Sequence, residues 1–133
     1  MYVEAVEVRA LRNLGSLNLS PSPGFNVFSV ENGQGKTNLL EALYLVGTLR
    51  SFRTSRLSDL IRTGEARATV EARVSRHGLA RVYQVILGPR GRLARLDGKL
   101  PRALGNYFGG FNVVLFAPED LRVPRSSPAD RRR

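Results

Sequence analysis

The stretch Gly33-Gln34-Gly35-Lys36-Thr37 constrains the fold of this chain more than any other, because it works only between a strand that delivers it and a helix that leaves it. Gly33 and Gly35 let the backbone curl so that consecutive N–H groups face one anion with no Cβ in the way. Lys36 has the reach to meet β and γ phosphates, and Thr37 offers a hydroxyl to Mg²⁺. A helix opening at Lys36 adds its unpaired N–H groups and the positive end of its dipole. The ligand this chemistry suits is a nucleoside triphosphate.

The flanking residues agree with that demand. Phe25 to Val30 is rich in β-formers and follows the turn residues Pro21-Ser22-Pro23-Gly24, which predicts a short buried strand running into the loop. From Lys36 to Leu49 the apolar residues Leu39, Leu40, Ala42, Leu43, Leu45 and Val46 recur at three- and four-residue spacing, which predicts a helix with Gly47 as its terminator. A Gly-rich turn with no ligand is the competing reading, and this context argues against it. The full loop runs Val30-Glu31-Asn32-Gly33-Gln34-Gly35-Lys36-Thr37, and Val30 stands where the usual pattern has its first glycine. A β-branched residue is compatible there only if the strand continues through it in the β region, so a weakened loop is expected rather than a broken one.

At 133 residues and 42% hydrophobic composition the chain is one domain's worth with enough apolar content for a core. It has no cysteine, which excludes disulfides and thiolate metal sites and fits a reducing cytosol. No apolar run is long enough to span a membrane, and no secretory leader is recognisable. The formal net charge is +10, and Lys36 and Lys99 are the only lysines among 21 basic residues. Arginine binds phosphate through a planar fork, so nucleic acid is the partner this excess points to; a composition bias on solvated faces is the alternative.

The rest reads as strand-dominated. Tyr2 to Ala10 alternates, with Val6, Val8 and Ala10 on one side and Glu7 and Arg9 on the other, and Ser16 to Leu19 pairs back on it. Arg50 to Arg56 is an exposed basic segment, followed by the short, partly apolar Leu57 to Ile61. Ala66 to Arg76 and Leu79 to Leu87 form a hairpin across Arg76-His77-Gly78, with His77 a solvated turn residue. Arg92 to Leu96 turns back through Asp97-Gly98 to Lys99-Leu100. Pro101 to Phe108 is a short helix ended by Gly109-Gly110, and Phe111 to Phe116 has the continuous apolar character of a central strand covered on both faces.

Ala117-Pro118-Glu119-Asp120 follows that strand. Its carboxylates either meet a metal or water held by the phosphate loop or simply cap a helix. Ser127, Pro128 and Asp130 form a helix start with room for a single turn before Arg133, too little to recover the cost of nucleation, which reads as a shortened chain. An acidic residue directly at the end of an apolar strand, which hydrolysis at such a loop requires, is missing.

These residues together resemble the N-terminal part of the RecF family. The resemblance is carried by Leu11-Arg12-Asn13-Leu14, by Glu31 to Ala42, by Arg50-Ser51-Phe52-Arg53-Thr54, and by Asn112 to Leu121 running on to Ser127–Arg133. It implies an α/β fold of mixed α+β character: the β-rich N-terminal lobe of an ABC/SMC-like ATPase head, here residues 1–133, with the phosphate loop at 30–37. The helical arm, signature motif and acidic strand end would lie elsewhere. It implies a cytoplasmic bacterial DNA replication and repair protein that binds ATP and Mg²⁺ and single-stranded or gapped DNA, and acts with RecR and RecO in RecA loading and SOS induction. ATP would control homodimerisation and DNA clamping in a complete protein with weak DNA-dependent ATPase activity, whereas this chain alone would not hydrolyse ATP. By the same resemblance Arg12 and Asn13 lie near the nucleotide and Glu119 sits in the loop that senses the γ-phosphate. A different phosphate-loop enzyme such as a nucleotide kinase, and a basic nucleic-acid-binding module with a vestigial loop, are the alternatives.

Overall fold

The computed structural model describes residues 1–27 and 33–116, with Gly33 and Gln34 described by their backbone alone. Five strands form one antiparallel sheet: β1 (Tyr2–Leu11), β2 (Leu14–Leu19), β3 (Ala68–Arg76), β4 (Leu79–Gly88) and β5 (Gly91–Leu96). The spatial order is β2-β1-β3-β4-β5. Helix α1 (Gly33–Thr48) packs across β1, β3 and β4, and a four-residue helix α2 (Leu104–Tyr107) lies near β5.

Alternation decides which face meets the helix. Val6 and Val8 of β1, Ala68, Val70, Ala72 and Val74 of β3, and Tyr83, Val85 and Leu87 of β4 point inward and are buried against Ala42, Leu45, Val46 and Leu49. The other face carries Glu7, Glu71, Arg73 and Gln84, as a one-sided antiparallel sheet should. Register slips once in β1, where Val3 pairs with Val74 and Ala5 with Arg73, so Glu4 is the extra residue. At its far end the inward place after Val8 falls to Leu11, fully buried, rather than to Ala10, which takes a φ of 55°. The two tight turns read from sequence are formed: His77 and Gly78 have φ of 52° and 78°, Asp97 and Gly98 53° and 80°, the pairing whose twist suits a two-residue hairpin.

Four expectations are corrected. The helix opens at Gly33 rather than Lys36, because first-turn N–H groups have no intrahelical acceptor and glycine's poor propensity matters least there. Gly47 does not terminate it. That residue is buried within the last turn, where a Cβ would lie 2.3 Å from Val113 Cγ2 and 3.2 Å from Phe111 Cε1; the chain leaves the helix at Leu49, with φ 61°. Phe25–Val27 is not a buried strand: Phe25 and Val27 are fully exposed. Nor is Phe111–Phe116, of which Phe111 is buried while Val114 and Phe116 are exposed. A strand needs at least one neighbour to take up its backbone N–H and C=O groups, and neither segment pairs with a strand among the described residues. The expectations for Val30, Glu31, Asn32 and Glu119, and for the helix start at Ser127, fall outside the described residues.

Candidate functional site

Gly35-Lys36-Thr37 lies in the first turns of α1, at the end of the sheet where β1 turns into β2. With the helix opening at Gly33, the N–H groups of residues 33–36 lack intrahelical acceptors and face outward from the helix end. Lys36 is exposed, and a Cβ built on Gly35 would meet nothing within 4 Å, so that part of the loop is open to an incoming group.

Directly behind Thr37, the helix carries two polar residues on its buried stripe, Asn38 and Glu41, three apart and therefore on one face. Glu41 is completely buried, and a buried carboxylate must be both neutralised and hydrogen-bonded. Its Oε1 accepts from Arg12 Nε at 2.5 Å and Arg53 Nη2 at 3.0 Å, and its Oε2 from Ser51 Oγ at 2.6 Å and Arg12 Nη2 at 3.3 Å. Four donors occupy the roughly four lone-pair sites of one carboxylate. Asn38 continues the network. Its amide donates to Asn13 Oδ1, and its Oδ1 accepts from Arg53 Nη2 at 2.5 Å.

Local structure delivers each partner. Arg12 and Asn13 form the two-residue turn between β1 and β2, with Arg12 held at φ 49°. The Arg12 N–H donates to Leu60 O at 2.7 Å and Arg62 N to Ala10 O at 2.8 Å, which ties this turn to the 57–62 segment. Ser51 Oγ, while donating to Glu41, accepts from the backbone N–H of Arg53 at 3.0 Å and of Thr54 at 3.3 Å, so one hydroxyl shapes the loop. Phe52 stands edge-on to Tyr44, centroids 5.6 Å apart, and packs the loop onto the helix. The segment Arg50–Arg56 is therefore only partly the exposed stretch its composition suggests: Arg53 and Ser51 are bound to the helix.

Of the residues expected at a nucleotide site, Gly35, Lys36, Thr37, Arg12 and Asn13 come together at one end of the sheet. Asn38, Glu41, Ser51 and Arg53 form the hydrogen-bond network that holds Arg12 and Asn13 there, and none of the four is among the residues expected at the site. The signal was present: a carboxylate on an otherwise apolar helix stripe requires cations from elsewhere in the chain. The two guanidiniums outweigh the one carboxylate, and with Lys36 the end of the helix carries net positive charge.

This fold closely matches two solved structures, described as the recombination mediator protein RecF with ATP and with ATPrS in the RecFOR pathway. The identity is 32% with a TM-score of 0.86 for the first and 31% with 0.85 for the second, over 98% of this chain and 37% and 36% of those chains. The fold is thus the sheet-rich N-terminal lobe of an ATPase head. Residues 2–81 match the RecF/RecN/SMC N terminal domain, and the chain belongs to that family. Curated relatives named DNA replication and repair protein RecF include one from Geobacter sp. (strain M21), 42% identical over 133 residues, and one from Myxococcus xanthus (strain DK1622), 44% identical over 132 residues. The chain spans 36% and 35% of the length of those two relatives.

Proposed function

We propose that this chain is the nucleotide-binding lobe of a RecF-type DNA replication and repair ATPase, taking ATP with Mg²⁺ at the opening of α1. The observation that carries the reading is the clamp of Arg12 and Asn13 onto Glu41 and Asn38, immediately behind Lys36 and Thr37. It holds the Arg12 guanidinium and the Asn13 amide at the end of the sheet where α1 opens, beside the exposed Lys36, and a cation next to a helix N-terminus suits a polyphosphate. Lys36 binds the β and γ phosphates, Thr37 presents its hydroxyl to Mg²⁺, and the first-turn N–H groups hold phosphate oxygens. Val30, Glu31, Asn32, Gly33 and Gln34 form the rest of the cradle. Arg12 and Asn13 flank the nucleotide, and Glu119 senses the γ-phosphate. Bound Mg²⁺ supplies charge neutralisation between the phosphates.

The DNA reading rests on the arginine excess and on the relatives, which are DNA repair proteins by name. In that setting single-stranded or gapped DNA is the partner, RecR and RecO are the associated proteins, and ATP drives homodimerisation in a protein of the relatives' full length. By the same relationship the site of action is the cytoplasm. Among the described residues no helix is long and apolar enough to cross a membrane.

The test is equilibrium binding of a fluorescent ATP analogue with Mg²⁺ to the chain and to Lys36→Ala. Saturable binding that weakens at least tenfold in the variant supports the assignment. Equal binding by both folded proteins removes it.

A further inference from the structure

We propose that the cleft between the β4–β5 turn and the 56–58 segment is a phosphate-backbone site for nucleic acid, held by Arg56, Arg90 and Arg92. The proposal takes its partner from the DNA reading above and its location from the structure.

The cleft is lined by these three arginines together with Leu57, Ser58, Leu87 and the turn Gly88-Pro89-Arg90-Gly91. Among the described residues none of the three guanidiniums is paired with a carboxylate, whereas Arg9, Arg12, Arg53, Arg73 and Arg81 each are. Asp59, the acid nearest in sequence, does not line the cleft; its carboxylate accepts from Thr54 Oγ1 at 3.4 Å. Two other surface clefts differ in kind. One is lined by Glu7 and Glu71 as well as Arg73, and in the other Arg81 is already held by Asp97 at 3.0 Å.

Backbone pairing and hydrogen bonds shape both walls of the site. Gly88 pairs with Gly91 to close the β4–β5 turn around Pro89 and Arg90. Gly91 takes φ 129°, open to glycine, and a Cβ on Gly88 or Gly91 would meet nothing within 4 Å, so the main chain can be approached closely. On the opposite wall the Arg56 N–H donates to Thr54 Oγ1 at 3.0 Å, and its carbonyl accepts from Asp59 N at 3.0 Å. Leu87 and Leu57 form an apolar floor, and Ser58 adds a neutral hydroxyl.

Topology links the surface to the nucleotide site. The starts of β3 and β5, the end of β4 and the β1–β2 turn share one end of the sheet, and the hold of Arg12 on Glu41 places the start of α1 at the same end. A row of unpaired guanidiniums along a shallow, open surface matches successive phosphates of a polynucleotide better than one compact anion. A nucleic acid seated there would lie at the same end of the lobe as the nucleotide site.

Anisotropy of a short fluorescein-labelled oligonucleotide, single-stranded and duplex, tests this with the full chain between about 50 and about 200 mM salt. Arg90→Gln/Arg92→Gln is compared with Lys99→Gln/Arg102→Gln, which removes the same charge at the opposite end of the sheet, and Arg56→Gln is measured alone. Far-ultraviolet circular dichroism and binding of the fluorescent ATP analogue establish that each variant is folded. The cleft pair is expected to weaken binding about tenfold or more and lower the salt slope by about 1.4 to 1.8, and Arg56→Gln by itself to lower it by about 0.7 to 0.9, roughly one unit for each phosphate left without its arginine. The control pair should stay within about threefold. Equal losses in the two pairs overturn the placement while leaving DNA binding standing. Absence of DNA binding by the parent chain overturns the proposal and the DNA reading together, without touching the nucleotide assignment. Competition by polyglutamate as effective as by unlabelled DNA overturns it in favour of an acidic protein partner.

Discussion

Arg12 and Glu41, 29 residues apart in sequence, form a two-point ion pair in which Nε meets Oε1 at 2.5 Å and Nη2 meets Oε2 at 3.3 Å. This contact joins the β1–β2 turn to the helix that opens with the phosphate-binding residues. Because Arg53 shares the same carboxylate, it also fixes the 50–54 loop, so one buried charge organises three segments.

Glu41→Gln keeps the shape and removes the charge. Its amide would present donors to two guanidiniums that already donate, leaving both without a counter-charge. A loss of about 3 kcal/mol in unfolding free energy is expected, the range for removing one partner of a buried pair. Glu7→Gln, on the solvent face beside Arg9, should change stability by no more than about 0.5 kcal/mol. Urea denaturation of both variants measures the contrast, and equal midpoints would mean that burial gives the Glu41 network no special weight.

The same network marks where sequence reading succeeded and where it stopped. Local rules identified β1, the β3–β4 hairpin, the turns at His77-Gly78 and Asp97-Gly98, and the helix after the Gly-Lys-Thr triplet, because each depends on residues close in sequence. Tyr107 was read as a helix residue, and it is buried on α2. Glu41 was not read as an anchor, since its partners Arg12, Ser51 and Arg53 come from two other segments that only the tertiary fold brings near. Phe25–Val27 and Phe111–Phe116 were misread for the opposite reason. Their composition is that of central strands, and a strand forms only where an edge is available to pair with it. Gly47 reads as a helix stop in sequence, and the close approach that occupies its place comes from Phe111 and Val113, far along the chain.

Gly47→Ala sets two effects against each other. Alanine gains up to about 1 kcal/mol of helix propensity, but its Cβ would stand 2.3 Å from Val113 Cγ2 and 3.2 to 3.3 Å from two atoms of the buried Phe111 ring. The valine can turn aside because it is only half-buried; the ring is held by Tyr83, centroids 5.7 Å apart. Overpacking of this kind costs about 1 to 3 kcal/mol and should prevail, giving a net destabilisation of about 1 kcal/mol. Adding Val113→Ala should restore part of the loss in a double-mutant cycle. A stabilised Gly47→Ala would show that the 111–113 segment yields freely.

Asp97 should confer acid sensitivity on the β5 turn. Its Oδ1 accepts from the Val82 N–H at 2.9 Å and its Oδ2 from Arg81 Nε at 3.0 Å. The Val82 hydrogen bond, opposed in part by burial and reinforced by Arg81, holds the carboxyl below its usual pKa. A depressed folded-state value means that the contribution is complete above the unfolded carboxylate's pKa, about 4, and is lost as pH falls through the lower folded value. Asp97→Ala should therefore be less stable than the parent at neutral pH by about 1 kcal/mol, and the gap should narrow below about pH 4. A gap that stays constant on acidification would assign the loss to the turn's φ of 53° instead of the charge.

Tyr107 gives the converse behaviour in alkali. Its hydroxyl donates to Val46 O at 2.5 Å, a carbonyl in the last turn of α1 that has no partner within the helix, while its ring stands edge-on to Tyr83 with centroids 5.3 Å apart. Burial, with a smaller contribution from Tyr83, raises the phenol's pKa well above its ordinary value. The raised value lies on the folded side, so the contribution is intact below the unfolded pKa of about 10 and is lost as pH climbs from there toward the folded value, because the unfolded chain releases its proton first. Near neutral pH, Tyr107→Phe should lose about 1 kcal/mol, the worth of one buried hydrogen bond. Between about pH 9 and about pH 11 the parent should lose stability more steeply than Tyr107→Phe, so the two denaturation midpoints converge. Parallel decline of parent and variant across that interval would place the alkaline sensitivity in other groups and leave the Val46 contact as a hydrogen bond without a titration role.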